Sequence, residues 1–243
     1  MMSNLRLLPA SVYLCGVACL LLAAFFATLG AGPAAPTDGL YPEVRTYLEQ
    51  RAKEFDQIAP DRREELDRFA AFIREQRAAK QTPKLIFICT HNSRRSHMGQ
   101  VWATAAARIS GLDVAAYSGG TEVTKFNPRA VAALTRAGLH IEQTTDDEDP
   151  IYHVRLGEAL KPLTCFSKLY SSAPNPKTNF AAIMTCDQAD TACPVVEGSI
   201  ARFHTGYVDP KEADGRADES KVYDERCAQI ARELLYVMQH AAN

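Results

Sequence analysis

Lys84-Leu85-Ile86-Phe87-Ile88-Cys89-Thr90-His91-Asn92-Ser93-Arg94-Arg95-Ser96 changes character at its middle. Residues 85–88 are continuously apolar, the pattern of a strand buried on both faces. Residues 89–95 form a short polar loop. Ser96 then opens a segment with Met98, Val101, Trp102, Ala105 and Ile109 at helical spacing. A buried strand, a polar loop and a helix make the repeating unit of a parallel α/β sheet. In such sheets ligands sit at the carboxyl ends of strands. Backbone N–H groups at a helix start lack helical partners and the dipole there is positive, so tetrahedral anions bind. The same field favours a thiolate, the nucleophilic form of cysteine. Cys89 is therefore the candidate nucleophile, and Arg95 the side chain that folds over the cradle to hold anion oxygens bidentately. Ser96 can donate its hydroxyl to the sulfur, and Asn92 can tie the tight turn through its amide. The bland reading makes Cys89 a small buried hydrophobe and Arg94-Arg95 a solvated pair. The strand before and the helix after favour the chemical reading.

Working outward, residues 114–117 read as a second strand, ended by Ser118-Gly119-Gly120. Asn127-Pro128 starts a helix with proline at the first helical position, running to Gly138. Residues 180–185 read as a third buried strand, 200–203 as a fourth, and 219–241 as a closing helix. This alternation predicts an α/β fold, a parallel sheet with helices on both faces. Residues 143–178 interrupt it, acidic first at Asp146, Asp147, Glu148 and Asp149, and read as an insertion or a mobile lid.

Towards the N-terminus, residues 41–80 form a helical prefix of two amphipathic helices. Val44, Leu48, Arg51 and Phe55 share one stripe, and Leu66, Phe69, Ala70 and Ile73 another. Asp61 and Glu64 stand at capping-box spacing. Before the prefix, no charged residue lies between Arg6 and Asp38. Residues 11–29 suit a secretory signal or a short membrane anchor. The expected layout is thus a leader (1–31), a linker (32–40), the prefix (41–80) and a catalytic domain (81–243). Arg6 ahead of the apolar run places the catalytic domain outside the cytoplasm, in the periplasm, and limits membrane contact to the leader. The formal charge of −2 gives no reason to expect a nucleic-acid partner.

The loop 89–96 resembles the phosphate loop of the low-molecular-weight tyrosine phosphatases and of the thioredoxin-coupled arsenate reductases that share their fold. Thr90 and Asn92-Ser93 look more like the reductase version. Tyr117-Ser118-Gly119-Gly120 and Asn127-Pro128 match the family too. His91 replaces its usual glycine, and Arg94 stands where many relatives carry a second cysteine. The resemblance implies a four-stranded parallel sheet flanked by helices. It also implies that Thr90, His91, Asn92, Ser93, Arg94, Arg95 and Ser96 bind substrate. Asp209-Pro210 resembles the family's general acid, although an Asp-Pro turn is common. Lys211 follows where a phosphatase often carries an aromatic residue, and Tyr207 is left to line the mouth.

Cys186 and Cys193, with six residues between them, resemble the redox pair of those reductases. The chemistry this implies is a relay from Cys89 to Cys186 to Cys193, ending on an external thioredoxin-like dithiol, with no bound cofactor and no metal. A static disulfide or a metal pair is the alternative, and the spacing is poor for zinc. Cys227 reads as core packing and His204 as structural. Arsenate reduction, a role in arsenic detoxification, is the first expectation. A phosphomonoester phosphatase is the second and a non-catalytic oxyanion-binding module the third.

Overall fold

The computed structural model describes residues 38–193 and 195–243. The expected leader and most of the linker lie outside the described residues. The chain runs α1 (Pro42–Ala52), α2 (Pro60–Ala78), β1 (Lys84–Cys89), α3 (Arg95–Ile109), β2 (Ala115–Gly120) and α4 (Pro128–Arg136). It continues β3 (His140–Gln143), β4 (Tyr152–Arg155), β5 (Leu163–Cys165) and β6 (Phe180–Met184). It ends α5 (Asp187–Ala192), β7 (Ser199–His204) and α6 (Glu219–Ala242).

Four strands make a parallel sheet in the order β2-β1-β6-β7. Strand β1 lies centrally, between β2 and β6, which is why its apolar run is unbroken. Leu85 and Phe87 face one core, shared with α1, α2, α3, α4 and α6. Ile86 and Ile88 face the other, closed by Ala189 of α5, Val196 and Tyr170. Helices cover both faces as expected, but very unequally. Each fully buried Ile, Leu or Phe of β1 contributes roughly 1.5–3 kcal/mol.

The prefix belongs to the larger core. Trp102 of α3, wholly buried, stacks on Tyr47 of α1 with centroids 4.9 Å apart and donates to Cys227 of α6 at 3.2 Å. Burial also pushes the Cys227 thiol up to about 12, so it is a packing group, as its sequence position indicates. Phe69 of α2 stacks on Phe203 of β7 at 5.0 Å. The capping box does not form. Ala59 is the N-cap and makes no side-chain cap bond, because Pro60 starts the helix one residue ahead of Asp61.

One further expectation changes. Ser118-Gly119-Gly120 continue β2 instead of ending it, since Gly120 pairs with Cys89 at the end of the ladder. Strands β3, β4 and β5 form a separate antiparallel sheet, and the chain after β5 returns along β2 through a bridge from Gly120 to Leu169. No helix among the described residues is long and apolar enough to cross a membrane.

The return path explains Gly119, where a Cβ would stand 2.3 Å from Tyr170 Cα; Gly120 is crowded instead by Glu122 O, at 2.4 Å, and by the loop after β1, the Asn92 nitrogen at 2.8 Å. Gly119→Ala is therefore expected to destabilise the fold by about 1–3 kcal/mol through overpacking. A lowered urea midpoint with an unchanged slope is the expected readout. An unchanged midpoint would show that the insertion does not press on β2.

Candidate functional site

The loop after β1 turns at Asn92, whose φ of +43° lies in the left-handed region. Asparagine is one of the few non-glycine residues that enter it readily. Its side chain secures both sides of the turn. Asn92 Nδ2 donates to Ser96 Oγ at 2.8 Å, and Asn92 Oδ1 accepts from Lys168 N at 3.0 Å. With one lone pair of Ser96 Oγ so occupied, its proton is left for Cys89 Sγ, 3.1 Å away. All four of Cys89, Asn92, Arg95 and Ser96 are buried. No backbone amide of residues 91–96 donates to a protein acceptor among the described residues. These amides are the donor ring that an oxyanion needs.

Arg95 opens α3 and reaches across to the segment after β7. Its Nη1 donates to Tyr207 O at 2.9 Å and its Nη2 to Asp209 Oδ2 at 2.8 Å. The buried Nε has no protein partner. Asp209 also caps the short turn Pro210–Ala213, accepting from Lys211 N at 3.1 Å. A cleft of about 340 Å³ is lined by Arg95, Asp209, Glu212 and, from α5, Asp187 and Gln188. The expected nucleophile, guanidinium and acid thus all lie beyond the carboxyl ends of the parallel strands. Tyr207 also lines this cleft, but its ring is buried, with the Arg62 guanidinium carbon 5.0 Å from the ring centroid.

The remaining loop side chains find partners away from the sulfur and join the cradle through their backbone. His91 Nε2 lies 3.3 Å from Glu122 Oε2. Ser93 Oγ donates to Lys125 O at 2.8 Å. Arg94 Nε donates to Tyr223 Oη at 2.9 Å, and Tyr223 Oη donates to Asp214 Oδ1 at 2.7 Å. Arg94 Nε also lies 3.9 Å from Asp209 Oδ1, a second cation beside the acid. Tyr223 and Asp214 were not anticipated as neighbours of the loop. Neither belongs to a local pattern, and only the fold brings α6 to residue 94.

Cysteines sort by core. Cys89 and Cys186 share the smaller apolar cluster and Cys193 packs against it, whereas Cys165 and Cys227 lie in the larger one. Cys186 follows β6 and caps α5, its sulfur accepting from Ala189 N at 3.4 Å. That sulfur lies 3.6 Å from Thr90 Oγ1, beside the nucleophile's neighbour. The five described cysteines are free thiols. Arg202 of β7 staples the intervening helix, donating to Asp190 O at 2.8 Å and Cys193 O at 3.3 Å. Among the described residues no cluster of His, Cys, Asp and Glu is arranged to hold a metal ion.

A sequence profile for low molecular weight phosphotyrosine protein phosphatases matches residues 84–148. An arsenate reductase of Bacillus licheniformis is 32% identical over 145 residues, covering 58% of this chain and 84% of the relative. An arsenate reductase of Bacillus subtilis is 28% identical over 142 residues, with 58% and 84% covered. Among solved structures, a thioredoxin-dependent arsenate reductase of Corynebacterium glutamicum superposes with a TM-score of 0.38. It shares 17% identity over 79% of this chain and 84% of its own.

One residue next to the loop bears on how the stability of the fold depends on pH. His97 is fully buried, 3.2 Å from Ser118 Oγ and stacked on Phe126. Burial, then the Lys168 ammonium, hold it well below the ordinary 6.5, with the Asn92 backbone opposing. A depressed histidine contributes stability that is intact above its unfolded value and lost as pH falls below it. Unfolding free energy is expected to drop between pH 6.5 and 5, by at most about 1.4 kcal/mol per pH unit from this group. His97→Gln should flatten that slope in urea titrations. Parallel curves for the two proteins would remove His97 from the account.

Proposed function

The chain belongs to the low-molecular-weight phosphotyrosine phosphatase family, together with the arsenate reductases it matches, and from that premise we propose that it reduces arsenate. The observation that carries the choice is the gathering of Cys89, Cys186 and Cys193 in one cluster behind the oxyanion loop. A phosphatase needs only the first of the three sulfurs.

In the proposed cycle, the amides of residues 91–96 and the Arg95 guanidinium hold the arsenate oxygens. The Cys89 thiolate attacks arsenic, and Asp209 protonates the departing hydroxyl, which leaves as water. The Cys186 thiolate then attacks the Cys89 sulfur. Arsenite leaves with the As–S electron pair, and a Cys89–Cys186 disulfide remains. Cys193 attacks Cys186 Sγ, which frees the Cys89 thiolate and leaves a Cys186–Cys193 disulfide. An external thioredoxin-like dithiol reduces it, supplying the two electrons that arsenic gained. Asp209 already touches Arg95, so the acid and the anion clamp are placed as one unit. Cys186 stands beside Thr90, so its path to Cys89 is short.

Export belongs to the proposal too and rests on the apolar run of residues 11–29. It places the domain, and the dithiol partner it needs, outside the cytoplasm.

Cys186→Ser is expected to lower steady-state arsenate turnover with a dithiol by about 100-fold or more. Hydrolysis of an aryl phosphate by the same variant should stay within about twofold of the parent. Cys89→Ser should abolish both. Arsenate turnover that survives in Cys186→Ser would end the relay assignment and leave the phosphatase reading. Phosphate binding with no turnover of either substrate, indifferent to Asp209→Ala, would leave the non-catalytic one.

A further inference from the structure

The prefix helix α2 reaches the site through two side chains. Arg62 donates from Nε and Nη2 to Glu233 Oε2 of α6, at 2.9 and 2.8 Å. Glu233 is almost wholly buried, and its other oxygen accepts from Gln229 at 3.0 Å. This forked pair fixes the guanidinium over the Tyr207 ring, with Nη2 3.5 Å from Gly206 O. One turn further along α2, Glu65 Oε1 accepts from His204 N at 3.1 Å. The chain from His204 to Tyr207 is thus gripped by α2 on one side. On the other side, Tyr207 N donates to Thr185 O, at the end of β6.

The gripped segment is the one on which the chemistry leans. Tyr207 O accepts from Arg95, and two residues later Asp209 binds the same guanidinium. We infer that Arg62 is a positioning residue: with Glu233 as its anchor, it sets the path of residues 206–209 and thereby places both Asp209 and Arg95. The prefix, which precedes the family match at residue 84, is then a built-in part of the active site. The inference rests on the proposed reduction for its kinetic readout and stands apart from it for its binding readout.

Arg62→Met alone leaves the buried Glu233 unpaired and endangers folding. The main test is therefore the full chain carrying Arg62→Met with Glu233→Gln, which removes both charges and keeps the packing. Its kcat for arsenate is expected to fall about 10- to 100-fold, since small misplacements of reacting groups have costs of that size. The loss should shrink when the pair is placed on Asp209→Asn, because the part of it that passes through the acid is then already gone. Inorganic phosphate should protect Cys89 from iodoacetamide several-fold less well in the altered chain, with or without Asp209→Asn, since that readout follows Arg95. Arg62→Lys, which keeps the cation and loses the fork, should fall between the parent and the pair in both readouts.

An equal kcat loss in both backgrounds, or a lowered melting temperature with kcat and protection unchanged, would overturn the inference. Should the unaltered chain turn over no arsenate, the functional proposal fails by itself. Phosphate protection then decides the positioning claim: weaker in the altered chain sustains it, and equal protection overturns it.

Discussion

The left-handed turn at Asn92 is the constraint from which the site follows. A conformation of that kind costs about 1–2 kcal/mol in a residue with a Cβ. Here the cost is offset by two hydrogen bonds from one side chain, to Ser96 and to Lys168 N. The turn sends successive amides inwards without acceptors of their own, and it sets Ser96 Oγ beside the sulfur. Every partner of the turn comes from a buried element: β1 before it, α3 after it and the returning insertion at its side. A donor ring held this way needs no rearrangement as charge arrives, which is the condition for electrostatic stabilisation of a transition state.

How far a feature was legible in the sequence depended on how far apart its partners lie. Strands β1 and β6, the start of α4 and both prefix helices followed from short-range periodicity, and the Asn92–Ser96 tie spans four residues. The sheet order β2-β1-β6-β7 was not read from the sequence, because alternation alone predicts parallel strands without saying which lie side by side. The environments of Arg94 and Tyr207 were hidden for the same reason: they come from Tyr223, 129 residues away from Arg94, and from Arg62 on a helix outside the family match. Lys168 and Asn92, 76 residues apart, meet only because the insertion turns back along β2.

The insertion and the prefix brace the site from two directions. Residues 167–170 hold the loop and the end of β2, while α2 holds the segment that carries the acid. The small apolar cluster holds Cys89 and Cys186 with Cys193 packed against it, and the larger core keeps Cys165 and Cys227 apart from them. Burial pushes the Cys165 and Cys227 thiols up to about 12, so both stay protonated and poor at exchange near neutrality. Separation of cores thus keeps the sulfurs of the proposed relay apart from these two.

Arg202 grips the carbonyls of Asp190 and Cys193 while Cys186 and Cys193 are both thiols. In the proposed relay those two sulfurs must meet, and the helix between them must give up that grip. An interaction made by the dithiol alone lowers its free energy against the disulfide, and about 1.4 kcal/mol of such preference raises a two-electron potential by roughly 30 mV. In the proposed relay, a guanidinium on the neighbouring strand would thereby tune how readily the Cys186–Cys193 disulfide accepts electrons.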